Sequence, residues 1–576
     1  MIILGLSGAL RHDASAALVI DGETVAAAEE ERFTRDKHAK NQWPEQAARY
    51  CLAEAGLRGE DIDCVAFPFA PVSLLRKARW AYASRYWYAP DRALDALLNG
   101  NRRFRSHRRA ILSLGEQLGI NWRKTQFVPV EHHLSHASSA YHLSGFEGKT
   151  AILGVDGKGE YATTFFGYGE NGQIHTLKEF YDPDSLGGVY GALTQYLGFE
   201  MLDGEYKVMG MAPYGDPEKY DLSRLIQPSG SGFRANTRYV NVVGLRRHKD
   251  QGQAFYFSDA LVDWLGPRRR GDDADEPYVH YAAAMQRLYE DWVIKLTQTY
   301  LGEVLNQTSQ LVFAGGGALN VKLNQRLLGE SNIEKLYVQP ASGDSGTALG
   351  AATFVANSRG DCVAPLRHVY LGPAFTADAC LAALQKRSET CHWRRLDEPV
   401  AAAAEILSDG HPLAWFQGRM EFGPRALGGR SILGCPSTPG IADKINAQIK
   451  FRERWRPFCP SVLPEVAAQL IQPSHPAPYM TITFDVTPGW RERIPEVVHE
   501  DGTARIQVVD EQAHPRYHQL LQAMQESTGN GVLLNTSLNR RGEPMVCSPE
   551  DALNMFFGCD LQYLLLEDFL VTKAPV

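Results

Sequence analysis

This chain predicts an α/β fold, and three observations carry that prediction. Short apolar runs bounded by Asp, Gly or polar residues recur at 2–6, 16–20, 24–28, 63–67, 126–130, 151–155 and 162–168, and they read as strands. Apolar residues recur at helical spacing over 45–56, 280–303, 318–329 and 345–356. Several strand ends run directly into glycines, at 5–8, 156–159 and 315–317. Strands alternating with helices place the chain in the α/β class.

The first strands form a hairpin: the Asp21-Gly22 turn joins the run 16–20 to 24–28. A stretch rich in Gly, Pro and polar residues at 357–375 follows the helix that ends near Ala356, and the main domain boundary is expected there. Two domains result, over 1–360 and 371–576. No internal repeat or low-complexity tract is visible. With 576 residues, 44% hydrophobic and 22% charged, the chain has ample core and is not disordered. Its net charge of −8 argues against nucleic acid as a partner. No apolar run reaches the ~18 residues of a spanning helix, and MIILGLSGAL lacks the basic start of a secretory signal. Nine cysteines without a C-x-x-C pair exclude a thiolate zinc site. The expectation is a cytoplasmic protein without a membrane partner.

Residues 76–124 stand apart, with twelve Lys/Arg against three acids, interleaved with Trp80, Tyr82, Tyr86, Trp87 and Tyr88. The segment reads as an inserted helical pair with a solvated basic face. A pocket wall for an anionic or glycosylated substrate is the alternative.

The chemistry-bearing residues of the first domain lie in four places. In the segment EHHLSHASSAY, His132 and His136 are four apart and share one helical face, a spacing at which two imidazoles can ligate one metal. The strand 151–155 ends in Asp156, followed by Gly157-Lys158-Gly159, a turn that suits metal or phosphate. The strand 310–314 runs into Gly315-Gly316-Gly317 and a helix, which offers backbone N–H groups to an anion. In the Gly-rich segment SGDSGTALGAA, Asp344 stands at a helix N-terminus, the place of an N-cap. None of these matches a P-loop or a Rossmann fingerprint.

In the second domain, Arg419, Arg425, Arg430, Lys450, Arg452, Arg454 and Arg456 lie among Gly, Pro and Trp455. Guanidinium forks in such loops suit a polyanion. Asn535, Ser537 and Asn539 alternate after a strand and are expected on one face, where they can hydrogen-bond an amide-like group.

The glycine-ended strands resemble those of the actin-like ATPase superfamily, whose duplicated βββαβα halves clamp a nucleotide. The histidine pair is similar to that of the tRNA threonylcarbamoyltransferase catalytic subunit, where H-x-x-x-H and a late Asp hold iron. The fullest resemblance is to the O-carbamoyltransferases of antibiotic and nodulation-factor biosynthesis, the TobZ/NodU family. It rests on HDASAALVIDG, EEERFTRDKH, HHLSHASSAY, VDGKGE, KVMGMAPYG, AGGGALN, SGDSGTALGAA, GRMEFGPRALGGRSIL, KFRERWRPFCPSVL and LLNTSLNRRGEPMVCSPEDA. It covers nearly the whole chain and is weakest over 76–124.

The resemblance implies an N-terminal actin-like domain and a C-terminal YrdC-like domain. It implies a divalent metal on His132, His136, Asp156 and Asp344, with iron(II) first and zinc, manganese or magnesium as alternatives. It places a nucleotide at Gly157, Lys158, Gly159, Lys207, Gly210, Gly315, Gly316, Gly317 and Asn320. In the C-terminal domain, carbamoyl phosphate and ATP would meet Arg419, Arg425, Arg430, Lys450, Arg452, Arg456, Arg505, Asn535, Ser537 and Asn539, and yield carbamoyl adenylate. The carbamoyl group would then pass to a hydroxyl of a small specialised metabolite or sugar. His12, beside Asp13, is the expected general base. Lys37 and Arg35 are expected substrate contacts. A homodimer is expected by resemblance. The competing readings are a sugar kinase and a tRNA-modifying enzyme.

Overall fold

The computed structural model describes residues 1–574 except 272, 331, 388–390 and 454. The chain forms two compact units, Met1–Thr24 with Ala55–Pro365, and Val25–Glu54 with Leu366–Val576. The expected break near 360–371 falls at 365/366. The segment Val25–Glu54 departs from the expected division, because it folds with the C-terminal residues.

Two five-stranded sheets shape the first unit. One holds β1 (Ile2–Leu6), β2 (Ser15–Ile20), β3 (Glu23–Glu29), β4 (Cys64–Phe67) and β5 (Gln126–Pro129), in the order β3-β2-β1-β4-β5. The chain leaves for the second unit along its edge strand β3. The other holds β6 (Thr150–Val155), β7 (Ala162–Glu170), β8 (Gln173–Tyr181), β9 (Gln310–Ala314) and β10 (Lys335–Val338), in the order β8-β7-β6-β9-β10. Both follow one plan. β1 runs antiparallel to β2 and parallel to β4, and β6 runs antiparallel to β7 and parallel to β9. This duplicated arrangement, which no sequence repeat announces, is the one expected of an actin-like domain. The central strands are buried on both faces, so they read as continuous apolar runs.

Residues 76–117 form two helices, α1 (Arg76–Ala83) and α2 (Pro90–Gln117). Two further helices position the site, α3 (His132–Tyr141) and α4 (Gly346–Ser358). They touch at Gly350, where an added Cβ would lie 1.9 Å from the Ser135 carbonyl oxygen. Only glycine allows that approach. It brings the start of α4 to the histidine face of α3.

The second unit is built on an eight-stranded mixed sheet. Its strands are β11 (His392–Arg395), β12 (Leu413–Phe416), β13 (Arg430–Gly434), β14 (Cys459–Val462), β15 (Gln507–Val508), β16 (Val532–Ser537), β17 (Tyr563–Leu566) and β18 (Phe569–Thr572). The order is β11-β18-β17-β12-β13-β16-β14-β15. A π-helical turn, Ile445–Lys450, delivers Lys450 to the end of β16. Such turns are rare and concentrate at functional sites. Among the described residues, no helix is long and apolar enough to cross a membrane.

Candidate metal centre and anion site

In the first unit, His132 and His136 project one turn apart from α3, with Nε2 atoms 3.1 Å apart. Asp156, at the end of β6, brings Oδ2 within 3.5 Å of His132 Nε2. Asp344, just before α4, lies 3.5 Å from His132 Nε2 and 3.7 Å from His136 Nε2 through Oδ1. All four side chains are buried, and their ligand atoms lie within 4.8 Å of one another. Burial disfavours the charge of both carboxylates, yet the imidazoles hold them ionised well below the usual carboxylate range. Burial likewise disfavours a charged His132, but Asp344 and Asp156 raise its pKa. The Nδ1 atoms of His132 and His136 are buried without a hydrogen-bond partner. Two imidazoles and two carboxylates converging in a buried space fit a divalent cation such as iron(II), zinc or manganese.

The surrounding backbone holds this group in place. Glu160 accepts from the His132 backbone N–H at 3.3 Å and from the Ala70 N–H at 2.7 Å, and so ties the start of α3 to the VDGKGE turn. The Gly316 N–H donates to Asp156 Oδ1 at 3.0 Å. Gly315 has φ +91°, and an added Cβ would meet the Val155 carbonyl oxygen at 2.3 Å, so glycine is required there. An added Cβ at Gly159 would press on His133 and His132, whereas Gly157 faces open space.

His12 Nδ1 pairs with Asp13 Oδ2 at 3.0 Å and lies 3.7 Å from Asp344 Oδ2. Burial lowers its pKa, but Asp13 and Asp344 outweigh this and raise it to about 9. With the carboxylates bare, His12 therefore holds its proton at neutral pH. A bound cation that shares the charge of Asp344 would reverse this local balance.

The remaining residues expected at the nucleotide divide. Asn320 exchanges hydrogen bonds with Gln286, which also bonds Tyr190 and Glu290. Lys207 and Gly210 lie in the short helix Glu205–Met211, where Lys207 Nζ is 3.9 Å from Asp203 and 5.6 Å from the Phe199 ring centroid. Lys158 turns to Asp182 Oδ2 at 3.1 Å, although the sequence placed it on phosphate. Asp182 also accepts from Arg92 Nε at 2.7 Å and Tyr82 Oη at 3.2 Å, and Asp184 accepts from Tyr88 Oη at 2.8 Å. Part of the basic, aromatic segment is thus consumed inside the unit. Asp182, Asp184 and Glu160 were not singled out. For the first two, the signal was the cationic excess in 76–124, which three local acids do not balance.

In the second unit, Lys450 is buried and donates to the Ser537 carbonyl at 2.7 Å, the Asn539 carbonyl at 2.8 Å and Asn539 Oδ1 at 2.7 Å. Burial, Arg452, Arg456 and Lys37 all push its pKa well below the ordinary lysine value. Burial and Arg456 hold Arg452 down to about 9. Arg452 bonds Asn446 Oδ1 at 2.5 Å and stacks on Phe458, while its Nη2 is buried without a hydrogen-bond partner. Arg505 Nε donates to Cys459 Sγ at 3.0 Å. Asn535 donates to Ser461 and Gln507, and its Oδ1 is left buried without a partner. Ser537 ends β16 and bonds Asn539, which lies beyond the strand. Arg454 lies outside the described residues.

Three expected ligand contacts have other tasks. Arg430 is fully buried, stacks 3.6 Å from the Phe416 ring centroid and gives its donors to the carbonyls of Gln417, Gly418, Gly429, Pro373 and Cys547. Arg419 is held by the Leu371 and Gly372 carbonyls and the Tyr50 hydroxyl. Arg35 bonds the Met545 and Pro544 carbonyls. A guanidinium fork suits carbonyls as well as phosphate, and these three tie loops together. Arg425 is half-buried on the same loop as Arg430. Lys37, expected beside the first-domain site, falls in the second unit, near enough to Lys450 to disfavour its charge.

The chain is a two-unit α/β protein, with converging imidazoles and carboxylates in one unit and a group of buried cations in the other. The description "Carbamoyltransferase N-terminus" matches residues 2–353, and "Carbamoyltransferase C-terminus" matches 404–573. The chain belongs to the carbamoyltransferase family and is a transferase. An uncharacterized protein of Synechocystis sp. is 38% identical over 99% of this chain and 97% of its own length. Nodulation protein NolNO of Sinorhizobium fredii is 34% identical over 100% of this chain and 83% of its own. Among solved structures, full-length HypF in its phosphate- and nucleotide-bound form covers 63% of this chain and 47% of its own, at 10% identity and a TM-score of 0.32.

Proposed function

We propose that the chain is an ATP-dependent O-carbamoyltransferase that works in two half-reactions. In the C-terminal domain, water attacks carbamoyl phosphate at phosphorus, so that phosphate and carbamate separate. The resulting carbamate oxygen attacks the α-phosphorus of ATP, which releases pyrophosphate and leaves carbamoyl adenylate. In the N-terminal domain, an acceptor hydroxyl attacks the carbamoyl carbon, and AMP leaves. The acceptor is a sugar or another small specialised metabolite.

The observation that carries this reading is the cation group around Lys450, in a member of the carbamoyltransferase family. Arg452 and Arg456 disfavour the charge of Lys450, and Arg456 that of Arg452, a cost that a multiply charged phosphate offsets. Asn535, with its unmet Oδ1, is placed to accept from the carbamoyl amide. In the first domain, His132, His136, Asp156 and Asp344 would hold the divalent cation, iron(II) by resemblance. Bound there, it supplies Lewis acidity toward phosphoryl or carbamoyl oxygens. His12, with Nδ1 engaged by Asp13, takes the acceptor proton at Nε2.

The test needs no acceptor. Purified protein with ATP and carbamoyl phosphate should release pyrophosphate, and ATP alone should not. Release independent of carbamoyl phosphate, or ADP formation with a sugar, would sink this reading.

A further inference from the structure

The inserted helices leave a surface that the catalytic reading does not use. Over its first half, α2 is apolar on two faces. Ala96 packs inward with Tyr82 and Ala78 of α1 and Ala93 is fully buried, whereas Leu94, Leu97 and Leu98 are exposed. Trp80 is 55% exposed, and Tyr86 and Trp87, in the turn between the helices, are 63% and 65% exposed. All six exposed side chains belong to the segment 80–98. Arg79 lies 5.6 Å from the Trp80 ring centroid and donates to the carbonyls of Ala96 and Leu97, so it joins Trp80 to the leucine face. Arg234 stacks 4.4 Å from the Trp87 ring centroid and braces that ring at the surface.

A cluster of exposed apolar side chains marks an interaction surface. The outward face of α2 carries three exposed leucines in its first half and exposed Arg102, Arg105, Arg108 and Arg109 in its second. Arg76 and Lys77 are exposed at the start of α1. Leucine and tryptophan flanked by arginine is the composition of a helix lying in a membrane interface. The sign of the charge selects the occupant. The patch is cationic in a chain of net charge −8. Two copies meeting across a two-fold axis would bring these arginines against themselves. A bilayer rich in anionic headgroups accepts the cations and takes up the aromatic and leucine side chains.

We propose that α1 and α2 dock the protein on an anionic lipid surface. A hydropathy pattern that excludes a spanning helix says nothing against such a contact. The experiment is co-sedimentation of the full chain with vesicles of phosphatidylcholine plus phosphatidylglycerol, against phosphatidylcholine alone. Binding should require the anionic lipid and weaken with salt. The double variant Leu97→Glu/Leu98→Glu should lose it. Arg102→Glu/Arg105→Glu/Arg109→Glu should weaken it by about a hundredfold. All five positions are exposed, and thermal unfolding equal to wild type checks that both variants fold. A variant-free measurement stands beside these: lipid brominated in the acyl chains should quench wild-type tryptophan emission. Absent binding, equal binding to neutral vesicles, or binding kept by both variants overturns the proposal. So does dimerisation in solution that Leu97→Glu/Leu98→Glu abolishes while vesicles are ignored, which would assign the face to a second copy.

Discussion

The two sites are opposites in charge and alike in design. In the first unit, Asp156 and Asp344 face each other across two imidazoles in a buried space, and each carboxylate would raise the other's pKa without the histidines. In the second unit, Arg452 and Arg456 suppress the charge of Lys450, and Arg456 that of Arg452. Folding alone does not favour like charges packed together. On the proposed function, each cluster is completed by a ligand of opposite sign, a divalent cation in one and a phosphate-bearing substrate in the other. Arg430 makes the contrast plain, since its donors are already answered by carbonyls and it has nothing left to bind.

If this division holds, the two clusters should fail separately. The largest effect belongs to the cation group. Arg456→Ala or Lys450→Met should lower carbamoyl-phosphate-dependent pyrophosphate release by about a hundredfold or more and leave metal content unchanged. Next, His136→Ala should spare pyrophosphate release, lose the bound metal and lower transfer to an acceptor. That loss should be at least about a hundredfold, the scale reached by removing groups that merely orient a ligand. Identical failure of both variants at the first half-reaction, with folds intact, would break the comparison. A third, smaller effect sharpens it. Chelation should lower the melting temperature of wild type but not of His136→Ala. Inorganic phosphate should raise it in both, but not in Arg452→Met, because only ligands that bind the native state stabilise it.

How far the sequence revealed this follows from what each feature depends on. The strands at 2–6, 151–155 and 310–314 and the helix Gly346–Ser358 were legible because periodicity and glycine punctuation are local. The metal-type cluster was legible in part from local spacing, since His132 and His136 share a helix face. Asp156, 20 residues beyond His136, was legible as a strand-end carboxylate, whereas Asp344, 208 residues beyond, read locally as an N-cap and joined the set only through family resemblance. The fate of the arginines was not legible. Arg430 and Arg452 both stand in cationic stretches, and only tertiary contacts give one to carbonyls and leave the other an unanswered donor. Nor does any local pattern announce that Val25–Glu54, and Lys37 with it, folds with residues 340 positions further on. The same holds for Lys158, whose partner Asp182 lies across a hairpin.

The smallest predicted effect tests the electrostatic coupling of His12 to the metal-type cluster. In the cation-free protein its pKa rises from 6.5 to about 9, because Asp13 and Asp344 outweigh the burial that lowers it. A histidine raised in the native state stabilises that state fully below its unfolded value and loses the contribution as pH climbs through its folded one. Chelated wild type should therefore lose melting temperature progressively between pH 6.5 and about 9, the window set by that shift. His12→Gln should flatten the slope by the share that His12 contributes, with Asp13 and Asp344 left in place. Saturating divalent cation should flatten it in wild type too, because the carboxylate charge that raises His12 is then shared. A slope that survives both the substitution and the cation would place its origin outside this cluster and separate His12 from the cation site.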